Sequence, residues 1–229
     1  MSDERYFNFP VQLLQGLLID SQKVLNNIMD YCIYENTFEL EYGTLDEKIK
    51  DSASFYNIIL GSISRTKKNG KELYNNLPEN PPKVGMNLSI FWDFYKNDKS
   101  DFDKICLLGF LAIKSILQQK PYCKIDNKFW FARMDGKAKS CEIDGLSDKT
   151  KKYFNNYQAR KIKSELQDGW GLITYSRYTR GFYVSFKLTL SELVYEAEKR
   201  RRKTKEKHRK EEEKKALKEA MDKLKLSQP

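Results

Sequence analysis

Residues 169–188 read GWGLITYSRYTRGFYVSFKL, and this stretch decides the fold. Phe182, Val184, Phe186 and Leu188 fall on one side of an extended chain, and Tyr183, Ser185 and Lys187 fall on the other. That period of two is the mark of a half-buried strand. Trp170, Leu172, Ile173 and Tyr175 supply a partner strand. Between them Arg177-Tyr178-Thr179-Arg180-Gly181 forms the tip, with the glycine that a tight hairpin turn requires. A guanidinium at such a tip can enter a minor groove or clamp a phosphate, and Tyr175, Tyr178 and Tyr183 can add hydrogen bonds to a nucleic-acid backbone.

Just upstream, the pattern predicts a helix from about 148 to 168, ended by Gly169. At 100° per residue, Ala159, Ile162 and Leu166 cluster on an inward side. Tyr157, Arg160, Lys161 and Ser164 lie opposite, with Asn156 and Lys163 at the margin. Arg and Asn suit base edges, while Lys and Ser suit phosphates. An ordinary solvated helix face has a similar composition, so the face is read together with the hairpin beside it, and Arg160, Lys161, Lys163, Arg177 and Arg180 are expected to lie on one contiguous surface.

Working further outward, Asp126 caps a short helix holding Phe129, Trp130, Arg133 and Met134, with Gly136 as its stop. A polar loop over 137–147 follows. Ser100 caps a strongly apolar helix over 101–119, whose stripe runs through Phe102, Ile105, Cys106, Gly109, Ala112, Ile113, Ile116 and Leu117. Near the N-terminus, Tyr6, Phe7, Phe9 and Pro10 read as a strand or extended arm, and residues 23–34 as an amphipathic helix. Thr44 and Glu47 form a capping box for a helix over 45–57, and a break at Leu60-Gly61-Ser62 precedes another over 63–77. Residues 53–73 thus have the outline of a helix-turn-helix, with Ser62, Ser64, Arg65, Thr66, Lys67 and Lys68 opening its second helix. Pro78, Pro81 and Pro82 mark a boundary.

Helix, short strand, helix, helix, hairpin is an order with a known counterpart. Residues 101–188 resemble the winged-helix DNA-binding family: first helix 101–119, a β segment at 122–124, second helix 126–135, a recognition helix ending in Lys161-Ile-Lys-Ser-Glu-Leu166, and a wing over 170–186. The 137–147 loop departs from the short turn usual between the two helices of such a motif. The expected fold class is mainly α with a small β-hairpin wing, an α+β class. It divides into a helical N-terminal domain (1–80), a winged helix (84–188) and a long basic C-terminal helix or arm (189–229). Plasmid replication initiators also carry winged helices and basic segments, and the chain is similar to them in that respect.

Charge is distributed to match. The 229 residues carry a net +10, but residues 1–148 hold 19 basic and 21 acidic side chains, whereas 149–187 hold 9 and 2 and 196–229 hold 14 and 8. A near-neutral body with two basic segments points to a polyanionic partner. Between Glu198 and Lys215 no large apolar residue occurs, so Arg200, Arg201, Arg202 and Lys203 begin an arm that can only bind by charge. Ala216, Leu217, Ala220, Met221 and Leu224 then restore a short amphipathic stripe suited to a partner or a second copy.

The same inventory narrows the function. The longest apolar run, 105–113, is far below the roughly 18–20 residues of a membrane span, and a cytoplasmic protein is expected. His208 is the single histidine, and Cys32, Cys106, Cys123 and Cys141 form no paired-ligand motif. No metal site, cofactor or catalytic residue is therefore nominated, and a non-enzyme is expected. The cysteines read as small core residues. The leading expectation is a protein of bacterial or mobile-element type that binds double-stranded DNA in replication initiation or transcription control. Its candidate contacts are Asn156, Tyr157, Arg160, Lys161, Lys163, Ser164, Arg177, Tyr178, Arg180 and 200–203. The alternative is a structural, assembly or adaptor protein, for instance phage-related, that holds a replication or assembly protein instead.

Overall fold

The first strand finds its partner far along the chain. In the structure, a computed structural model describing residues 5–177 and 181–226, with side chains as far as Lys218, β1 (Tyr6–Pro10) pairs antiparallel with β2 (Lys83–Asn87). Alternation sends Phe7, Phe9, Val84 and Met86 into the core. Between the strands run α1 (Ser21–Asn36), α2 (Leu45–Phe55) and α3 (Ile63–Asn75). Their starts are set by capping side chains, of which the sequence marks the Thr44–Glu47 box. Asp20 accepts from the Lys23 amide, Thr44 and Glu47 close a capping box, and Ser62 accepts from the Arg65 amide.

Helix α3 is locked onto α1 by a buried carboxylate. Asp30 accepts hydrogen bonds from Thr66 Oγ1 at 2.9 Å and Asn69 Nδ2 at 2.8 Å. Beside it Gly70 lets the two backbones meet, since a Cβ there would stand 2.5 Å from Tyr34 Cβ and 2.6 Å from the Asp30 carbonyl oxygen. The prolines at 78–82 do not part the chain as the sequence led us to expect. The Val11 amide donates to the Pro82 carbonyl at 2.9 Å, β2 returns to β1, and one apolar cluster runs unbroken from Phe7 to Val184. After β2 comes α4 (Leu88–Lys96), unmarked in the sequence reading, which Asn87 caps and which buries Phe91 and Phe94.

The second half contains α5 (Asp101–Leu117), β3 (Cys123–Ile125), α6 (Asn127–Met134), a 3-10 turn at Ser140–Gly145, α7 (Asp148–Lys151) and α8 (Asn156–Gly169). Next are β4 (Ile173–Tyr175), β5 (Phe182–Ser185) and α9 (Leu190–Leu226). The single helix expected over 148–168 is broken. Asn155 accepts from the Gln158 amide and so starts α8 afresh, while Phe154 leaves the helical path to pack on Phe131, 5.3 Å between ring centroids. The three strands form one antiparallel sheet in the order β3-β5-β4. Gly181 has φ +89°, and a Cβ there would run into the Ile125 carbonyl oxygen, which explains the glycine at this end of the hairpin.

Two faces of this sheet are used differently. Ile125, Phe182 and Val184 are buried in the core, where Phe182 meets Trp130 at 5.7 Å. Lys124, Tyr183 and Tyr175 stand in register on the other face, which α9 covers through the buried Leu193 and Ala197. From Lys199 to Lys218 the helix is exposed. Cys32 and Cys106 are buried as expected, Cys123 is half-buried, and Cys141 is exposed in the 3-10 turn, contrary to the core role read for it.

Gly70→Ala separates two effects of opposite sign. Helix propensity alone would stabilise the protein by up to about 1 kcal/mol. The close approach to α1 is expected to win, with a net loss of about 1–3 kcal/mol in urea unfolding.

Candidate nucleic-acid interface

Helix α8 presents the faces that its periodicity implies. Ala159, Ile162 and Leu166 are buried, and Asn156, Tyr157, Arg160, Lys161 and Ser164 are exposed. The two lysines leave the helix on opposite flanks. Lys161 Nζ lies 4.4 Å from the Phe102 ring centroid on α5, and Lys163 Nζ lies 4.1 Å from that of Phe182 on β5. Tyr157, Arg160 and Ser164 occupy the open strip between them, and Tyr157 is 72% exposed. Lys163 is half-buried, and that burial, reinforced by Arg160, pushes its ammonium below the ordinary lysine range.

Arg177 goes elsewhere. Its Nη1 is 3.7 Å from Glu198 Oε1 on α9. The same carboxylate accepts from Tyr175 Oη at 3.0 Å and pairs with Arg201 at 2.8 Å. The Tyr175 hydrogen bond, then Arg201 and Arg177, hold Glu198 below the usual carboxylate range. Lys124 Nζ lies over Tyr183, and Lys124, Arg177, Arg200 and Arg201 line a small cleft of about 320 Å³ around Glu198. Phe182 and Tyr183 are neighbours on β5 and so point to opposite faces of the sheet. Lys163 is therefore on one face, and Arg177 with Lys124 on the other.

The structure thus brings Arg177 together with Arg200 and Arg201, and not with Arg160 and Lys163 as the sequence led us to expect. Tyr178 and Arg180 lie outside the described residues. Arg202 and Lys203 are exposed on α9 and make no ion pair among the described residues. Further along, Lys207 pairs with Glu211 and Arg209 with Glu213, so part of the charge of the arm is matched along its own helix. Lys124 and Glu198 were missed as site residues. Lys124 could have been found from the alternation Cys123-Lys124-Ile125, and Glu198 from its place three residues before Arg201.

Comparisons of the chain with protein-family models, with curated proteins and with solved structures found no match. Among the described residues, no helix is long and apolar enough to cross a membrane.

The Glu198 carboxylate gives the docking of α9 a pH dependence. Because its folded pKa is depressed, its contribution is fully present above the ordinary carboxylate value, about 4.3, and is lost as pH falls through the lower folded value. Hydrogen exchange should show the first turns of α9 losing protection below about pH 4. In Glu198→Gln that protection should already be reduced at neutral pH and should no longer respond to this titration.

Proposed function

We propose that residues 101–188 form a winged helix and that the protein binds double-stranded DNA through it, in replication initiation or transcription control of a plasmid, phage or other mobile element in a bacterial cytoplasm. The observation that carries this reading is the combination of the element order α5-β3-α6-α7-α8-β4-β5 with the strand order β3-β5-β4, beside a helix whose outward strip holds Arg160, Lys161 and Ser164. That strip is free of other protein elements at Tyr157 and offers the mixture of donors that groove reading uses.

In this reading Arg160 and Asn156 contact base edges, and Lys161 and Ser164 contact phosphates. Arg177, Arg200 and Arg201 sit on the far face of the sheet, where they suit the backbone flanking the site rather than the same groove. Arg202, Lys203 and the exposed remainder of α9 add sequence-independent attraction through counterion release.

Fluorescence anisotropy on random and genomic duplex fragments across a salt series tests the proposal. Lys161→Ala should weaken every duplex and lower the salt slope by about one. Arg160→Ala should cost about 1–3 kcal/mol on a preferred duplex and relax its preference. Lys163 is a poor reporter, because its stem and ammonium also cover Phe182. A chain ending at Lys203 keeps the Glu198 contacts and should lose random-duplex affinity while retaining site preference. Duplex binding unchanged in Lys161→Ala and Arg160→Ala would remove α8 from the mechanism, and an absence of duplex binding would favour the adaptor role.

A further inference from the structure

A cleft of about 1160 Å³ crosses the outer face of the β1–β2 ribbon, and none of its lining belongs to α8 or to the three-stranded sheet. Gly85 of β2 lies in its lining, where a Cβ would meet only Tyr6, at 3.9 Å. The two walls differ in chemistry.

One wall is aromatic. Tyr74 of α3, 40% exposed, stacks on Tyr31 of α1 with 6.2 Å between centroids and planes 22° apart. Behind them Glu35 accepts from Tyr31 Oη at 2.8 Å and pairs with Lys83 at 2.6 Å, so its charge is matched within the wall.

The other wall is cationic. Arg133, at the end of α6, is 6% exposed, donates to Ser115 Oγ at 3.3 Å and to the Ala138 carbonyl at 3.0 Å, and lies over the Phe129 ring. Its Nε has no hydrogen-bond partner, and it makes no ion pair with a carboxylate among the described residues. Burial pulls this guanidinium below its ordinary range, and Glu142 opposes that only from a distance. A buried cation without a counter-ion is costly, and an anion in the adjoining space offsets the cost. Lys114 and Lys139, both exposed, line the same wall and make no ion pair among the described residues, and the Lys114 ammonium also lies 5.7 Å from the ring centroids of Phe110 and Phe186. Once Lys83 and Glu35 are set against each other, these three cations face a single acid, Glu79.

We propose that this cleft binds a nucleotide, its phosphate toward Lys114, Lys139 and Arg133 and its base against the exposed side of Tyr74. A free nucleotide and an unpaired nucleotide within a DNA strand share this chemistry. The inference does not depend on the duplex reading of α8.

Calorimetric titration of the full chain with dAMP, with inorganic phosphate and with a short single-stranded oligo-dA tests it. A single saturable dAMP site is expected, weakened about tenfold or more in Lys114→Ala/Lys139→Ala and in Lys139→Ala alone by less, with urea unfolding as the control because Lys114 also covers Phe110 and Phe186. Tyr74→Leu should weaken dAMP and leave phosphate binding unchanged, and Lys161→Ala should alter neither. Oligo-dA binding much tighter than dAMP would assign the site to a strand, and equal affinity would assign it to free nucleotides. The proposal is overturned if neither dAMP nor oligo-dA saturates the protein at millimolar concentration, if the double lysine variant binds as well as the parent, or if Lys161→Ala removes the binding.

Discussion

The arrangement of the C-terminal half depends on the contact between Trp130 and the middle of α5. Trp130 is fully buried and donates its Nε1–H to the Gly109 carbonyl at 3.0 Å. A Cβ at Gly109 would stand 3.2 Å from both Ile162 Cγ2 and Trp130 Cζ2, so the absence of a side chain is what lets α8 and the indole close on α5. Glycine inside a helix costs about 1 kcal/mol of propensity, and here the buried hydrogen bond and the packing of two large side chains offset it. With Ile162 and Leu166 pinned inward, Arg160 and Ser164 have no direction left but outward. Trp130 also meets Phe182, so one residue ties α5, α6 and the sheet together.

Sheet faces then divide the basic charge. The core face of β5 receives Lys163 over Phe182, and the outer face receives Lys124, Arg177 and the first turns of α9 around Glu198. Two cationic groups separated by a sheet cannot serve one flat patch. In the proposed role they suit an extended polyanion that passes α8 and continues beside the hairpin, with the exposed part of α9 reaching further along it. The cleft on the β1–β2 ribbon is built from a different set of elements and has its own buried cation.

What could be read from the sequence was local. Ser100, Thr44 and Asp126 each place an oxygen where a helix start needs one, and the alternation read over 182–188 holds for β5 only as far as Val184, because Ser185 turns inward and accepts from the Lys187 and Leu188 amides. The inward face of α8 follows from Ala159, Ile162 and Leu166 alone. What could not be read was non-local or finely balanced. β1 and β2 pair across the whole α1–α3 segment, and neither strand carries a mark of the other. Asn155 and Asn156 are equivalent as residue types, so the restart of α8 depends on Phe154 finding Phe131. The turn of Arg177 toward Glu198 follows from how Leu193 and Ala197 seat α9, and the cleft at Arg133 arises from five separate stretches of chain.

Hydrogen–deuterium exchange of the full chain, free and saturated with duplex DNA, tests the central claim most directly. The account requires new protection over 156–164 on α8 and in the first turns of α9, with the β1–β2 ribbon unchanged. Protection confined to α3 or the ribbon, with α8 exchanging as in the free protein while duplex is bound, would contradict it.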